Sequence, residues 1–241
     1  QIAELRNDYP NVKFGQWFLD PLNKKGPDYE RNKSRILDKI EHLDASFVTT
    51  SPSVLNFLPK NNNNFYIPNP SDDSFETLNN FLKPCNVDVF FALSHGVHRG
   101  VLKSGKIDDR ITFLKNLSEK TPDVKFDIYG IDKIQPIWAD HYFKTISNAK
   151  MGLNLSRGDA IKYYSSDRIT QIVGNGLVCL IDEKTQYRDF FNNSEMVFYK
   201  NISDLSEKIL KISRDEKLRK SIAKKGKKKY MKYFNSTLVA D

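Results

Sequence analysis

Along the second half of the chain, short apolar runs alternate with segments whose apolar positions recur at helical spacing. Residues 87–93 form an apolar run suited to a buried strand, whereas residues 108–120 repeat apolar side chains every three to four positions. Strands are predicted at residues 87–93, 124–129, 151–155, 177–181 and 196–199, and helices at 108–120, 136–148, 166–173, 187–191 and in the C-terminal segment. This alternation predicts a doubly wound α/β domain with a parallel sheet.

The first block of the chain carries a shorter version of the same pattern. Strands are predicted at residues 12–18 and 45–50, around a helix at residues 29–42, and Ser51-Pro52-Ser53 looks like the start of a further helix. The block is too short for a complete doubly wound domain. We therefore expect residues 1–83 to be a partial Rossmann-like lobe with an interlobe linker, and residues 84–241 to be a complete one.

The composition of the chain excludes several classes of protein. With 39% hydrophobic and 28% charged residues the chain is globular, and it contains no apolar run of about 18 residues that would span a membrane. Two cysteines, Cys85 and Cys179, are too few for a disulfide framework or a zinc cluster, which favours a reducing, cytoplasmic location. His95 and His98 have no third ligand nearby, so no metal site is predicted.

The net charge of +8 is concentrated near the C-terminus. Between Lys208 and Lys232, twelve Lys or Arg side chains face only two carboxylates, Asp215 and Glu216. Three interpretations remain open: a solvated helix face, a peripheral contact with the anionic inner face of a membrane, and a nucleic-acid surface. Nucleic acid is the least favoured, because aromatic residues are not interleaved and no nucleic-acid-binding motif is present.

Candidate ligand-binding residues follow the predicted strands, where open α/β sheets bind their ligands. Arg99 and Lys103 come after the strand at 87–93, among glycines that allow close backbone approach. The paired Ser165 and Ser166 precede a predicted helix whose first turn carries Arg168, an arrangement suited to an anion. A surface loop and a routinely capped helix would explain the same residues without a ligand.

Other reaction classes find little support in the sequence. There is no Gly-x-Ser-x-Gly elbow, no cysteine with a histidine partner and no cluster of carboxylates typical of a glycosidase. The chain offers groups that bind phosphate rather than a nucleophile, and no catalytic base is identified.

Three segments resemble a known family. Met151-Gly152-Leu153-Asn154-Leu155-Ser156-Arg157, Tyr164-Ser165-Ser166-Asp167-Arg168 and Gly174-Asn175-Gly176-Leu177-Val178 resemble bacterial retaining glycosyltransferases of the two-lobed GT-B fold. The group that includes the spore-maturation-protein-like glycosyltransferases is the most similar. Ile67-Pro68-Asn69-Pro70, followed by Asp72 and Asp73, resembles the family's interlobe segment.

The resemblance implies that the C-terminal lobe binds a nucleotide-diphosphate sugar and the N-terminal lobe the acceptor. It assigns the donor diphosphate to Arg99, Lys103, Ser165, Ser166 and Arg168. It assigns the nucleotide and ribose to Gly130, Ser156, Arg157, Tyr164 and Gln171. Transfer would retain the anomeric configuration, need neither metal nor cofactor, and build a cell-surface polysaccharide or lipopolysaccharide on a glycan or lipid-linked acceptor.

The sequence departs from the family pattern at two positions. Where the family commonly has Glu-x7-Glu, this chain has Tyr163 and Gln171. The missing carboxylates leave an alternative open, in which the protein is a non-catalytic relative that binds a nucleotide sugar or acts as a scaffold.

Overall fold

The computed structural model describes residues 2–26, 28–60, 63–93, 97–98, 101–102 and 108–241. The chain divides into two units. Unit 1 contains Gln1–Asn69, Gly158–Asp167 and Lys184–Gln186, and unit 2 contains Pro70–Arg157, Arg168–Glu183 and Tyr187–Asp241. The roles expected for residues 1–83 and 84–241, an acceptor lobe and a donor lobe, stay predictions.

Unit 1 is built on a small parallel sheet with a helix on one face. Its elements are α1 (Ile2–Asp8), β1 (Gly15–Phe18), α2 (Tyr29–Ile40), β2 (Ala45–Val48) and β3 (Asn64–Tyr66). The strand order is β1-β2-β3. Ile36 and Ile40, one turn apart on α2, are buried together with Leu22, Val48 and Leu55. The predicted strand–helix–strand pattern of this block agrees with the structure.

Two details of unit 1 differ from the sequence-based expectation. The helix expected from Ser51 is a single 3₁₀ turn, Pro52–Val54, because the backbone closes three-residue turns: the N–H of Leu55 donates to the carbonyl oxygen of Pro52 and the N–H of Leu58 donates to that of Leu55. No strand is predicted at β3, whose backbone pairs with β2, with Ser46 opposite Asn64. A strand of three residues carries too few side chains to show a period.

The face of this sheet opposite α2 is aromatic. Trp17, Phe47 and Phe65 lie opposite one another across the three strands, and Trp17 and Phe65 remain about half exposed. Parallel sheets normally bury both faces. The partly exposed aromatic face of this sheet therefore agrees with the expectation that this block is a partial lobe.

Unit 2 contains a five-stranded parallel sheet and its helices. In chain order the elements are β4 (Val87–Ala92), β5 (Val97–His98), β6 (Val101–Leu102), α3 (Asp109–Lys120), β7 (Phe126–Tyr129), α4 (Ala139–Ile146), β8 (Ala149–Asn154), α5 (Asp167–Gly174), β9 (Val178–Asp182), β10 (Val197–Tyr199), α6 (Ile202–Arg214), α7 (Glu216–Tyr233) and α8 (Ser236–Ala240). The sheet order is β10-β9-β8-β4-β7, and β5 pairs with β6 antiparallel. The sequence pattern predicts five strands with helices between them, and this fold class is confirmed.

The strand order fixes where a ligand can bind in unit 2. The chain runs from β4 to β7 on one side and then returns to β8 on the other side of β4. The crevice beyond the carboxyl ends of β4 and β8 is therefore the topological switch point, the usual ligand position in such sheets.

Both faces of the larger sheet are buried. Successive side chains of β4 point to opposite faces of the sheet, and apolar side chains occur on both. Val89 and Phe91 join a cluster with α3 and α6, while Phe90 joins a second cluster with α4 and α5. The helix expected at residues 187–191 is only a 3₁₀ turn, Tyr187–Asp189, in which the N–H groups of Phe190 and Phe191 both donate to the carbonyl oxygen of Tyr187 and so close a single turn.

A buried arginine ties α7 to the segment that leads into β4. The guanidinium of Arg219 is fully buried and donates to the carbonyl oxygens of Asn80 and Lys83, each at 3.0 Å, and to the carboxylate of Glu216 at 2.6 Å. This hydrogen bond to Arg219 lowers the pKa of Glu216. The contact explains why one basic residue of the C-terminal segment lies in the interior.

Arg219→Met is expected to destabilise the protein by about 2–3 kcal/mol, because buried carbonyl groups lose their donor. Chemical denaturation followed by circular dichroism would measure the change. Lys220→Met is the matched control, since Lys220 forms only a half-exposed pair with the same Glu216, and it should change stability by less than about 1 kcal/mol. Equal losses in both variants would contradict the assignment.

Candidate functional site

The carboxyl ends of β4 and β7 meet at a glycine. Gly130, predicted to contact the nucleotide, follows β7 with a φ of +76°, and a Cβ at this position would lie 1.6 Å from the carbonyl oxygen of Leu93. Its N–H donates to the carbonyl oxygens of Ile134 and Gln135. Only glycine fits this conformation and this approach, so Gly130 shapes the sheet edge beside the switch point.

The switch point itself carries the side chain of Arg168. Its Nε donates to the carbonyl oxygen of Ala92 at 3.2 Å, and its Nη1 donates to the carbonyl oxygen of Leu155 at 3.3 Å and to Oδ1 of Asn154 at 3.5 Å. The guanidinium carbon also lies 5.2 Å from the ring centroid of Phe91. One cation thus bridges the ends of β4 and β8.

A second glycine brings the helix that carries Arg168 close to the sheet. Gly152 in β8 faces α5, and a Cβ at this position would lie 2.4 Å from Cγ1 of Ile172. Ile169, Ile172 and Val173 are buried against the sheet, so Arg168 projects from the first turn of α5 towards the strand ends. Close packing of glycine against isoleucine thereby determines the position of the charge.

Asn154 was not predicted as a site residue, although a signal was present in the sequence. It is a buried polar side chain at the last position of β8, directly after the buried Met151, Gly152 and Leu153. A buried amide needs hydrogen-bond partners, and Oδ1 of Asn154 accepts from Arg168. A polar residue at the end of a buried strand is therefore the sequence signal that indicates this site residue.

Gln171, predicted to contact the ribose, lies one turn after Arg168 on the same face of α5. Its Nε2 donates to Oε1 of Glu76 at 3.0 Å. Because an ionised carboxylate only accepts hydrogen bonds, this contact fixes which way the amide of Gln171 points. No pattern in the sequence indicates that Glu76 lies here, since the two residues are 95 positions apart.

Glu76 is a carboxylate in an unusual setting, with only 3% of its surface exposed. Its Oε2 accepts from the backbone N–H of Asp72 at 2.7 Å and from the hydroxyl of Ser71 at 3.4 Å. Burial raises its pKa despite these hydrogen bonds. Gly174 leaves the space that Glu76 occupies, since a Cβ there would lie 2.4 Å from Cγ of Glu76.

Gln171→Glu is expected to destabilise the protein by about 1–3 kcal/mol at neutral pH, because two carboxylates would meet where an amide now donates. The loss should shrink as the pH falls, since the pair then shares a proton and its raised pKa favours the protonated form. The exchange of both residues, Glu76→Gln with Gln171→Glu, should recover most of the loss, because one amide would again donate to one carboxylate, in the opposite direction. Denaturation across the pH range measures both variants against the wild type.

Gln186→Glu is the control for added charge, since Gln186 is exposed in unit 1. It should change stability by less than about 0.5 kcal/mol. Additive losses in the exchange variant would contradict the contact between Glu76 and Gln171.

The remaining predicted residues fall into separate groups. Ser156 and Arg157 follow β8 in unit 2 and are half-buried. Tyr164, Ser165 and Ser166 belong to unit 1. Ser165 is fully buried: its hydroxyl accepts from the N–H of Asn69 at 3.0 Å, and its N–H donates to the carbonyl oxygen of Thr49 at 2.8 Å. These contacts give Ser165 a structural role within unit 1, and its diphosphate role stays a prediction.

Arg99 and Lys103, the predicted basic pair, lie outside the described residues, as does His95. In the part of the chain that the structure describes, no group of three or more His, Cys, Asp or Glu side chains could hold a metal ion. Within the same residues, no helix has the length and apolar character needed to cross a membrane. Both cysteines are buried, and burial raises the pKa of Cys179 to about 12, so neither is an activated nucleophile.

Three solved structures that share the fold are distant from this chain in sequence. TarM from S. aureus matches 97% of this chain with a TM-score of 0.67 at 15% identity. HepE from Anabaena, solved with UDP and glucose, matches 98% with a TM-score of 0.67 at 9% identity. An alpha-glucosyltransferase, solved with UDP-glucose and DNA containing an abasic site, matches 99% with a TM-score of 0.63 at 13% identity. No curated protein matches the chain.

The chain spans 50% of TarM, 72% of HepE and 73% of the alpha-glucosyltransferase. Together with the parallel sheet and its switch point, these likenesses define a partial GT-B fold. A family model described as glycosyl transferase-like matches residues 110–240, more than half of the chain. The protein belongs to this glycosyl transferase-like family.

Proposed function

We propose that the protein transfers a sugar from a nucleotide-diphosphate donor, and that Arg168 binds the donor diphosphate at the switch point of unit 2. The observation that supports this best is the bridge that Arg168 makes between the ends of β4 and β8. Open α/β sheets bind nucleotides at this position, and a guanidinium is well suited to phosphate.

The strand ends orient the charge of Arg168. Two carbonyl oxygens and one amide oxygen contact the guanidinium there, and these three groups are uncharged. When the bond between the sugar and the diphosphate breaks, negative charge grows on the leaving group. A cation that is already oriented stabilises this charge with little reorganisation. Its effect on the transition state is the main catalytic contribution that we propose for this chain.

The nucleotide is proposed to lie along the face of α5 that carries Arg168 and Gln171. Since the side-chain N–H of Gln171 donates to Glu76, the side-chain oxygen Oε1 of Gln171 is the atom that we propose accepts from a ribose hydroxyl. We also propose that the nucleotide and ribose contact Gly130, Ser156 and Arg157 at the same sheet edge, and Tyr164. The proposed contacts of the diphosphate, besides Arg168, are Ser165, Ser166, Arg99 and Lys103. Uridine is the first base to test, because HepE and the alpha-glucosyltransferase were solved with UDP or UDP-glucose.

The finer parts of the proposal come from the family resemblance. They are retention of configuration, independence of metal and cofactor, and a glycan or lipid-linked acceptor for cell-surface polysaccharide or lipopolysaccharide. We also propose a cytoplasmic location, because two free, buried cysteines suit a reducing compartment.

A thermal-shift screen against UDP-, GDP-, ADP- and CMP-sugars tests the proposal. We expect stabilisation by one nucleotide class that a chelator leaves unchanged, followed by release of the free nucleotide when acceptor extracts are added. Binding without turnover would support the alternative, a non-catalytic relative that binds nucleotide sugars. No stabilisation at saturating concentrations of any donor would contradict both and would favour the other alternative, a scaffold.

A further inference from the structure

One face of α7 carries a row of lysines. Lys217, Lys224, Lys225, Lys228 and Lys232 are all exposed, and at about 100° per residue they fall within an arc of about 100° around the helix axis. Ile222, Gly226 and Tyr230 are buried on the opposite side. We call these five side chains the lysine stripe, and it extends for roughly 22 Å along α7.

The lysine stripe differs from the other basic residues of α7 in its contacts. Lys220 pairs with Glu216 and Lys229 pairs with Glu195, while Lys227 donates to two backbone carbonyl oxygens. Among the described residues, none of the five stripe lysines has an ion pair with a carboxylate. Like charges four residues apart, such as Lys224 and Lys228, repel each other, so the stripe costs stability in the isolated protein.

One aromatic side chain lies beside the C-terminal end of the stripe. Tyr233 is 53% exposed and follows Lys232, whose Nζ lies 4.9 Å from the Tyr233 ring centroid. At about 100° per residue, Tyr233 lies roughly 80° outside the arc of the stripe. The surface that the stripe presents is therefore formed by the five lysines themselves.

We propose that the lysine stripe docks unit 2 on an anionic lipid bilayer. A flat, negatively charged surface complements a straight row of positive charges. Nucleic acid fits less well, since no aromatic side chain lies within the stripe to stack on bases. The proposal concerns where the protein acts and does not depend on which donor it binds.

Co-sedimentation with vesicles tests the proposal in the absence of nucleotide sugar. The wild-type chain should bind vesicles of phosphatidylcholine containing phosphatidylglycerol, should not bind vesicles of phosphatidylcholine alone, and should dissociate as salt is raised. Replacing Lys224, Lys225 and Lys228 by glutamine should lower the partition coefficient about a hundredfold, since each lysine contributes roughly fivefold.

The control variant replaces Lys120, Lys125 and Lys133, three exposed lysines elsewhere in unit 2, and should bind like the wild type. Equal binding to both kinds of vesicle, or equal losses in the stripe and control variants, would overturn the proposal. Tighter binding to DNA than to anionic vesicles at the same salt would also overturn it. None of these outcomes bears on nucleotide-sugar binding, which the thermal-shift screen measures separately.

Discussion

Replacing Arg168 by alanine is expected to lower kcat/KM for sugar transfer about 100- to 1000-fold in the protein that carries this chain. The reason is the loss of the one described cation that bridges the strand ends at the switch point. The removal of a single preoriented group that stabilises developing charge has an effect of this size. Arg168→Lys should recover only part of the rate, because one ammonium group cannot contact both strand ends as the guanidinium does.

The test needs evidence that the variants fold. Arg168 also packs over Phe91, so circular dichroism and a thermal melt should accompany the kinetics. Arg214→Ala is the matched control, since Arg214 forms an exposed pair with Asp123 in the same unit, and its rate should equal that of the wild type. Turnover that is unchanged in folded Arg168→Ala would remove Arg168 from the proposed chemistry.

Gly130→Ala is expected to destabilise the protein by about 3–5 kcal/mol. A side chain at a φ of +76° is strained, and its Cβ would overlap the carbonyl oxygen of Leu93, which belongs to the backbone and cannot rotate away. The ends of β4 and β7 would have to separate. Urea denaturation followed by circular dichroism would measure the loss.

Gly15→Ala provides the matched glycine. Its φ is not positive, and a Cβ there would lie 3.5 Å from the nearest atom, which is an ordinary contact. This variant should stay within about 0.5 kcal/mol of the wild type or be slightly more stable. If Gly130→Ala were equally harmless, the close approach of Gly130 to Leu93 would be wrong.

The larger sheet could be predicted because its strands are buried on both faces. Continuous apolar runs such as residues 87–93 and the stop signal Gly174-Asn175-Gly176 mark elements by composition alone. Short polar elements carry no such signal. β3 consists of Asn64, Phe65 and Tyr66, and only its pairing with β2 makes it a strand. The order of the strands, which fixes the switch point, was also not contained in any local pattern.

The candidate site could be predicted in its residue types but not in its contacts. Arg168 follows from its place in the first turn of a predicted helix, and Gln171 follows from the family resemblance, whereas Glu76 reaches Gln171 from a segment 95 residues away. Such a long-range contact depends on how α5 packs on the sheet at Gly152. Sequence patterns therefore found the helix that carries the site, and tertiary packing decided what each side chain touches.

The central claim, that Arg168 binds a diphosphate, is tested most directly by comparing a nucleoside diphosphate with its nucleoside on two proteins. Isothermal titration calorimetry would give the affinity of the wild type and of Arg168→Ala for UDP and for uridine, or for the pair that the screen selects. The two ligands differ only in the diphosphate, so the change in preference isolates the contact between Arg168 and phosphate.

We predict that the wild type prefers the diphosphate by about a hundredfold or more, and that this preference falls at least tenfold in Arg168→Ala while nucleoside affinity is unchanged. The same preference in both proteins would contradict the account.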